Sequence, residues 1–364
     1  MKAGTFFLAL ALCVVCAQAQ REVTLLPTEK EIPEISTILK TRYAVAVGIP
    51  AGKVNRADFG KFLESLNGGA VLMEQPGAVR PVRPISTDFL PYKIGYWRLS
   101  SFTPQRDWKS LADQLGAWQR AGAIGIVLDA RNNTGEEDFS AAAMAASYFT
   151  APGSTLFILQ GMQTPQEVFV NREASRVWNL PIVVLVNHRT AGAAEAFAAS
   201  LRSLSGAIVL GQSTLGRAGV LMDVPLKSGR YLQIATSQAR LADGTALFGH
   251  PVAPDIDVFI DAATESKVME KIDQGVVVAL LAERAARPHL TEASLVNNEN
   301  PELEEAAANA SGRGEKAGGG EGHPQDTALM RACDALRAID LKRRKGAEQA
   351  SATGLARKEK LANR

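Results

Sequence analysis

The hydrophobic pattern changes period several times along the chain. Phe6–Val15 is an unbroken apolar run of ten residues. Short apolar runs follow at Tyr43–Ile49, Ile94–Leu99, Ile124–Leu128, Pro181–Val186, Ala207–Leu210 and Tyr231–Ala235, with another near Pro254–Ile260. Runs of that length predict strands, and near-continuous ones suit strands buried on both faces of a parallel sheet. Between them the apolar spacing becomes three and four. Asn55–Leu66 carries Phe59, Phe62, Leu63 and Leu66, and Asp107–Arg120 carries Trp108, Leu111, Leu115 and Trp118. Phe139–Phe149 is Ala-rich, and Ala193–Leu204 carries Phe197, Leu201 and Leu204. Each reads as a helix with one apolar face. Strands and helices taking turns from 91 to 262 predict an α/β layer fold around a largely parallel sheet.

The flanks read differently. Residues 20–90 form an accessory N-terminal segment in which Pro76, Pro81 and Pro84 mark an extended linker. Residues 263–296 are a helical extension, with Glu265–Arg284 predicted as one helix through Val268, Ile272, Val276 and Leu280. Residues 297–326, rich in Asn, Glu, Ala and Gly, are expected to be a disordered linker. Asp326–Leu341 resumes a helical pattern. The last 23 residues hold eight Lys/Arg and two Glu and read as a flexible basic tail.

Composition narrows the function classes. Forty Lys+Arg against 38 Asp+Glu leave a formal charge of +2, which argues against a dedicated, specific nucleic-acid binder. The basic tail could touch an anionic surface of a cell envelope, or simply be solvated. Residues 1–19 read as a signal peptide: Lys2, the apolar run, then Ala17-Gln18-Ala19 ahead of a cleavage point at Gln20. Ten apolar residues fall short of the ~20 that a spanning helix needs; the alternative is an uncleaved anchor. Export to a periplasm or cell envelope is therefore expected. Cleavage removes Cys13 and Cys16, leaving Cys333 and no internal disulfide. His188, His250, His289 and His323 show no metal-ligand spacing, so neither metal nor cofactor is expected.

The chemistry should lie between Val183 and Leu226. There a buried strand meets a short turn of small residues and then a helix, whose first N–H groups are free. That geometry suits an oxyanion site with a nucleophile at the turn; tight packing of small residues is the plainer reading.

Five segments in order, IGYWRLSSFT (94–103), GIVLDARNNTG (125–135), PIVVLVNHRTAGAAEAFAASL (181–201), AIVLGQSTLGRAG (207–219) and DGTALFGHPVAPDIDV (243–258), resemble the tail-specific, or carboxy-terminal-processing, serine peptidase family. The resemblance implies an α/β sandwich related to crotonase, with a short accessory N-terminal segment and here a helical C-terminal extension. Many members insert a PDZ domain, for which residues 20–90 look too short. It also implies a Ser–Lys dyad, in which a neutral amine takes a proton from a Ser hydroxyl. The nucleophile position falls on Gly192 in Thr190-Ala191-Gly192-Ala193-Ala194-Glu195. The base position falls on Arg217, and a frequent orienting Gln on Leu221. Glycine has no nucleophile, arginine stays protonated, and leucine makes no hydrogen bond. The former oxyanion region falls on Gly135, Glu136 and Ala193, where Glu136 would oppose negative charge.

Three function classes follow. The first is an exported, non-catalytic homologue that binds a peptide, an unfolded segment or an envelope protein through the old cleft, with Arg217 holding an anion or turned to solvent. The second is an active serine-type peptidase using displaced residues. Its candidates are Thr190, Ser200, Ser203, Ser205 or Ser213 with His188, oriented by Asp129 or Glu195. The third is a structural envelope protein.

Overall fold

A computed structural model describes residues 25–50, 54–77, 86–103, 107–134, 138–163, 165–281 and 324–362. The signal peptide, Pro81, Pro84, Gly135, Glu136 and nearly all of the expected linker lie outside them. In chain order the elements are α1 (Ile32–Arg42), α2 (Arg56–Glu64), β1 (Ala70–Met73), β2 (Ser86–Leu90), β3 (Ile94–Arg98), α3 (Trp108–Arg120), β4 (Gly125–Asp129), α4 (Phe139–Ser147), β5 (Thr155–Gln160), β6 (Glu167–Val170), β7 (Ile182–Val186), α5 (Ala193–Ser205), β8 (Ile208–Gly211), β9 (Gly219–Pro225), β10 (Tyr231–Arg240), β11 (Ile256–Asp257), α6 (Ala262–Asp273) and α7 (Thr327–Ala362).

Six strands form the main sheet in the order β11-β8-β7-β4-β3-β2. All its pairings are parallel except β2 with β3. Every residue of β3, β4 and β7 is buried, so both faces must be covered. Alternation decides which side chain goes where. Ile126, Leu128, Ile182, Val184 and Val186 face a core built with α3, α4 and α5. Val127, Val183 and Leu185 face the opposite way, onto Ala328, Leu329, Ala332 and Leu336 of α7. The strands follow one another across the sheet in chain order, so right-handed crossovers place their helices on one side. The other side is left for the C-terminal helix. Gly125 permits that approach: a Cβ there would stand 2.6 Å from Leu336 Cδ2. Cys333, on the same face of α7, is buried, and burial pushes its thiol up to about 12.

Local signals explain the helix ends. Asn55, Asp107, Asp138 and Asp261 each cap a helix by accepting from a backbone N–H three residues on. Asp326 does the same for α7, accepting from Leu329 N at 3.0 Å.

A second, antiparallel sheet runs β1-β10-β5-β6, with β9 on the other side of β10. The accessory segment packs on it. Ile35, Leu39, Phe59 and Leu63 join Leu72, Leu232 and Ile234 in one cluster. Arg230, in the β9–β10 turn, pairs with Glu31 ahead of α1 (Nε–Oε1 2.9 Å).

Several expectations need correction. Tyr43–Ile49 is not a strand: Ala44 N donates to Ala235 O at 2.7 Å, but β10 already carries β1, β5 and β9. Glu265–Arg284 is not one helix. Gly275, at φ 81°, ends α6 with bonds from Gly275 N to Ile272 O and from Val276 N to Lys271 O, and a short 3₁₀ turn follows at Val278–Leu281. Only Ile256–Asp257 of Pro254–Ile260 is strand. The basic tail continues the preceding helix, since α7 runs on to Ala362. Asp326, placed in the linker by composition, is fully buried.

That aspartate closes an ion-pair network. Its two oxygens take Arg131 Nη1 and Nη2 at 3.0 and 2.7 Å, while Asp129 takes Arg131 Nε and Nη2 at 2.9 and 2.6 Å. Burial alone would raise the Asp129 carboxyl, but Arg131 and Arg98 hold it below its ordinary value. Asp326→Ala should therefore cost about 3–5 kcal/mol of unfolding free energy in urea titration; a loss under about 1 kcal/mol would show that the pair does not secure α7.

Candidate functional site

The site begins where β7 ends. Asn187 N donates to Thr190 Oγ1 (3.0 Å), Thr190 N returns a bond to Asn187 O (2.8 Å), and Thr190 Oγ1 donates to Ala130 O (3.0 Å). Ala191 N donates to Asn133 O at 2.8 Å, which ties this turn to the loop after β4. Gly192 then heads α5 at φ 62° and ψ −129°, a conformation that a residue with a Cβ adopts only under strain. Ala193, the first residue of α5, is buried.

Three residues on stands Glu195, fully buried. Its carboxylate accepts from Gly192 N (3.1 Å), Gly216 N (2.6 Å), Arg217 N (2.7 Å) and the Thr214 hydroxyl. Gly192 and Arg217 bond to the same oxygen, Oε2. The two turns that sequence reasoning singled out, twenty-five residues apart, thus meet on one carboxylate. Further bonds brace the second turn: Leu215 N to Thr190 O (2.9 Å) and Val252 N to Thr214 Oγ1 (2.8 Å). Burial pushes the Glu195 carboxyl up to about 7, against four donors that pull it down.

The Arg217 side chain is half-buried and turned toward the accessory segment. Its Nη2 donates to Gly68 O (3.0 Å) and Gln233 Oε1 (3.2 Å), and Gln233 Nε2 donates to Asp223 Oδ1 (3.0 Å). Arg217 is therefore not a free cation pointing at solvent. Leu221 sits in β9 opposite Ala235 and packs with the accessory cluster.

The proposed replacements do not assemble around His188. Thr190 donates to Ala130 O, Ser200 to Ala196 O and Leu156 O, and Ser205 to Phe149 O. Ser203 and Ser213 are exposed. Asp129 is engaged by Tyr96 and Arg131, and Glu195 by the two turns. His188 instead faces Gln212 Oε1 (Nδ1 at 3.2 Å) and Glu265 Oε2 (3.7 Å). A cleft of about 500 Å³ opens there, lined on one side by Asn132, His188 and Arg189 and on the other by α6.

Sequence reasoning missed the pinning role of Glu195. Its position three residues after a helix cap is the spacing of a capping box and could have shown half of that role. Thr214 and Gly216 lie in the stretch singled out around Arg217, but their bonds to Glu195 were not foreseen, and Glu265 was read only as part of a helix.

Comparison with known proteins gives the setting. Residues 93–258 match peptidase family S41. The chain is 28% identical over 176 residues to the carboxy-terminal processing protease CtpA of Bacillus subtilis, covering 48% of this chain and 37% of that protein. It is 31% identical over 169 residues to the carboxyl-terminal-processing protease of Synechocystis sp., covering 46% and 38%. The match thus spans less than two-fifths of either relative's length. A crystal structure of a candidate peptidase from Parabacteroides merdae superposes with a TM-score of 0.50 at 15% identity, over 69% of this chain and 97% of that one; at that identity it speaks for the fold alone.

The Glu195 arrangement carries a pH signature. A carboxyl whose folded value is about 7 against an ordinary 4.5 binds its proton more tightly when folded. Its contribution to stability is full below about pH 4.5, falls as pH rises to about 7, and is flat above, a span of about 3 kcal/mol. Glu195→Gln should remove that slope. Urea unfolding of both proteins at about pH 4.5 and about pH 8 would show it. An unchanged stability difference between the two would rule it out.

Proposed function

We propose, from the premise that residues 93–258 form a peptidase family S41 domain homologous to the carboxy-terminal processing proteases, that this chain is a non-catalytic relative that binds peptide or protein segments. The reading rests on one observation. Gly192 and Arg217, at the nucleophile and base positions of the family, are held against the same Glu195 oxygen, so the two turns are in place while the reacting groups are not. Glycine offers no attacking atom. A guanidinium cannot take a proton near neutral pH, and this one is bound to Gly68 O and Gln233. Leu221 supplies no hydrogen bond to orient a base.

Further features complete the proposal. The main sheet, with crossover helices on one face, is compatible with a crotonase-related scaffold. Residues 20–90 act as an accessory segment, with support from α1 and α2 packing on β1 and β10. Residues 1–19 direct export, and the cell envelope is the setting. Among the described residues, no helix is long and apolar enough to cross a membrane. The basic end of α7 adds an exposed Lys342-Arg343-Arg344-Lys345 run that favours an anionic surface. An active serine-type peptidase built from displaced residues finds little support, because the Thr190, Ser200 and Ser205 hydroxyls donate to main-chain carbonyls.

The test is cleavage of an unfolded protein such as reduced casein. The natural chain should give no cleavage above background, whereas the triple change Gly192→Ser, Arg217→Lys, Leu221→Gln should gain it. Cleavage by the natural chain would overturn the reading. The serine variant should also lose about 1–3 kcal/mol of stability, because a Cβ is forced to the positive φ of Gly192; thermal unfolding measures this separately.

A further inference from the structure

The direction of α7 is fixed by three contacts. Its capping residue Asp326 is held by Arg131 just past the carboxyl end of β4 (Nη2–Oδ2 2.7 Å). Further on, Leu336 reaches Gly125 at the amino end of β4, where a Cβ would stand 2.6 Å from its Cδ2. Arg337 lies over the ring of Tyr92, 3.9 Å from its centroid, in the turn that enters β3. The helix therefore runs antiparallel to β3, β4 and β7 and leaves the sheet at their amino ends. The turns at Gly192 and Thr214 follow the carboxyl ends of β7 and β8. The candidate site and the emerging end of α7 thus lie at opposite ends of the main sheet.

That emerging end is unlike the rest of the chain. Leu336 is fully buried, whereas residues 341–346 are all exposed. Arg344 pairs with Asp340 at 2.8 Å, but Lys342, Arg343 and Lys345 have no carboxylate partner among the described residues. The last 23 residues carry a formal +6 in a chain of +2, so the other 341 sum to −4. Positive charge is segregated onto the end of one helix.

The same stretch narrows the partner. It contains no aromatic residue, so it offers nucleic-acid bases nothing to stack on. Its only large apolar residues, Leu355 and Leu361, do not share a helix face, so it has no apolar stripe to sink into a bilayer. What remains is Coulomb attraction to a plane of negative charge, where each Lys or Arg strengthens attachment ~5-fold.

We propose that the basic end of α7 docks on the anionic phospholipid surface of a membrane and holds the Gly192–Arg217 site away from it. Lys345 lies ~30 Å along the helix from Asp326, and the site opens at the end of the sheet far from the lipid. The inference rests on the anionic-surface reading of α7 given above and adds the chemistry of that surface and the direction of the site. Whether the chain cuts peptides does not enter it.

Co-sedimentation of the exported form, residues 20–364, with vesicles tests the docking. Vesicles of equal parts phosphatidylglycerol and phosphatidylcholine should bind it, pure phosphatidylcholine should not, and molar salt should release it. Lys342→Gln, Arg343→Gln and Lys345→Gln together, exposed changes to another good helix former, should weaken binding ~100-fold. Equal binding to both vesicles, a loss under ~3-fold in the triple variant, or tighter binding to a DNA duplex than to the anionic vesicles would overturn the docking. The direction has its own readout. Cys333 is buried, so a dye attached in Ser213→Cys marks the site end and one in Gly346→Cys marks the helix end, both at exposed positions. With spin-labelled lipid headgroups, the dye in Gly346→Cys should be quenched and the dye in Ser213→Cys should not. Equal quenching with docking intact would overturn the orientation and leave the anionic-surface reading standing.

Discussion

The Glu195 carboxylate lies where two turns from distant parts of the chain both need an acceptor. One turn ends a parallel strand and opens a helix, and its Gly192 N–H has no partner further back in the helix. The other, at Thr214–Arg217, bends away from β8 toward β9 and points two N–H groups and a hydroxyl inward. A single buried side chain satisfies all four. The interior around it is therefore polar by construction, although its neighbours in the first turns of α5 are Ala193, Ala194, Ala196 and Phe197. Removing the carboxylate would strand several donors at once, so the position of both turns depends on it.

Arg217 shows what a guanidinium can do beside such a carboxylate. A lysine serving as a base must be free and neutral. An arginine is always charged and presents a planar fork of donors. Here part of that fork grips Gly68 O and Gln233, which links the site to the loop before β1. Leu221 goes the same way, with its side chain in the apolar cluster under the accessory segment. Arg217 and Leu221 both help to hold two layers together.

The main sheet was legible because its strands are buried on both faces. GIVLD and IVVLV are apolar runs that fit nowhere else, and each was placed to within a residue or so. The antiparallel sheet was much harder to read. β6 is half-exposed and β9 carries polar and aliphatic residues in irregular order, so neither shows a clean period of two. Tyr43–Ile49 looked better than either, yet β10 had no edge left for it. The site divided in the same way. Gly192 and Arg217 were found by position in a pattern. The bonds that join them come from side chains whose partners lie many residues away, and no local spacing encodes those. Asp326 is the sharpest case, because composition placed it among linker residues while its partner Arg131 lies 195 residues earlier.

That separation bears on the order in which the molecule can be completed. The strand order leaves one face of the main sheet to α7, which is synthesised after every described strand. Until it arrives, Val127, Val183 and Leu185 lack the cover of Ala328, Leu329, Ala332 and Leu336, and Arg131 has only half of its counter-charge. At ~5–20 residues per second, the stretch from Ile260 to Asp326 takes several seconds to synthesise. Throughout that interval the nascent chain carries an open apolar sheet, the kind of surface that holdase chaperones recognise. This helix thus acts as a clock: folding of the main sheet cannot finish before synthesis has passed Leu336.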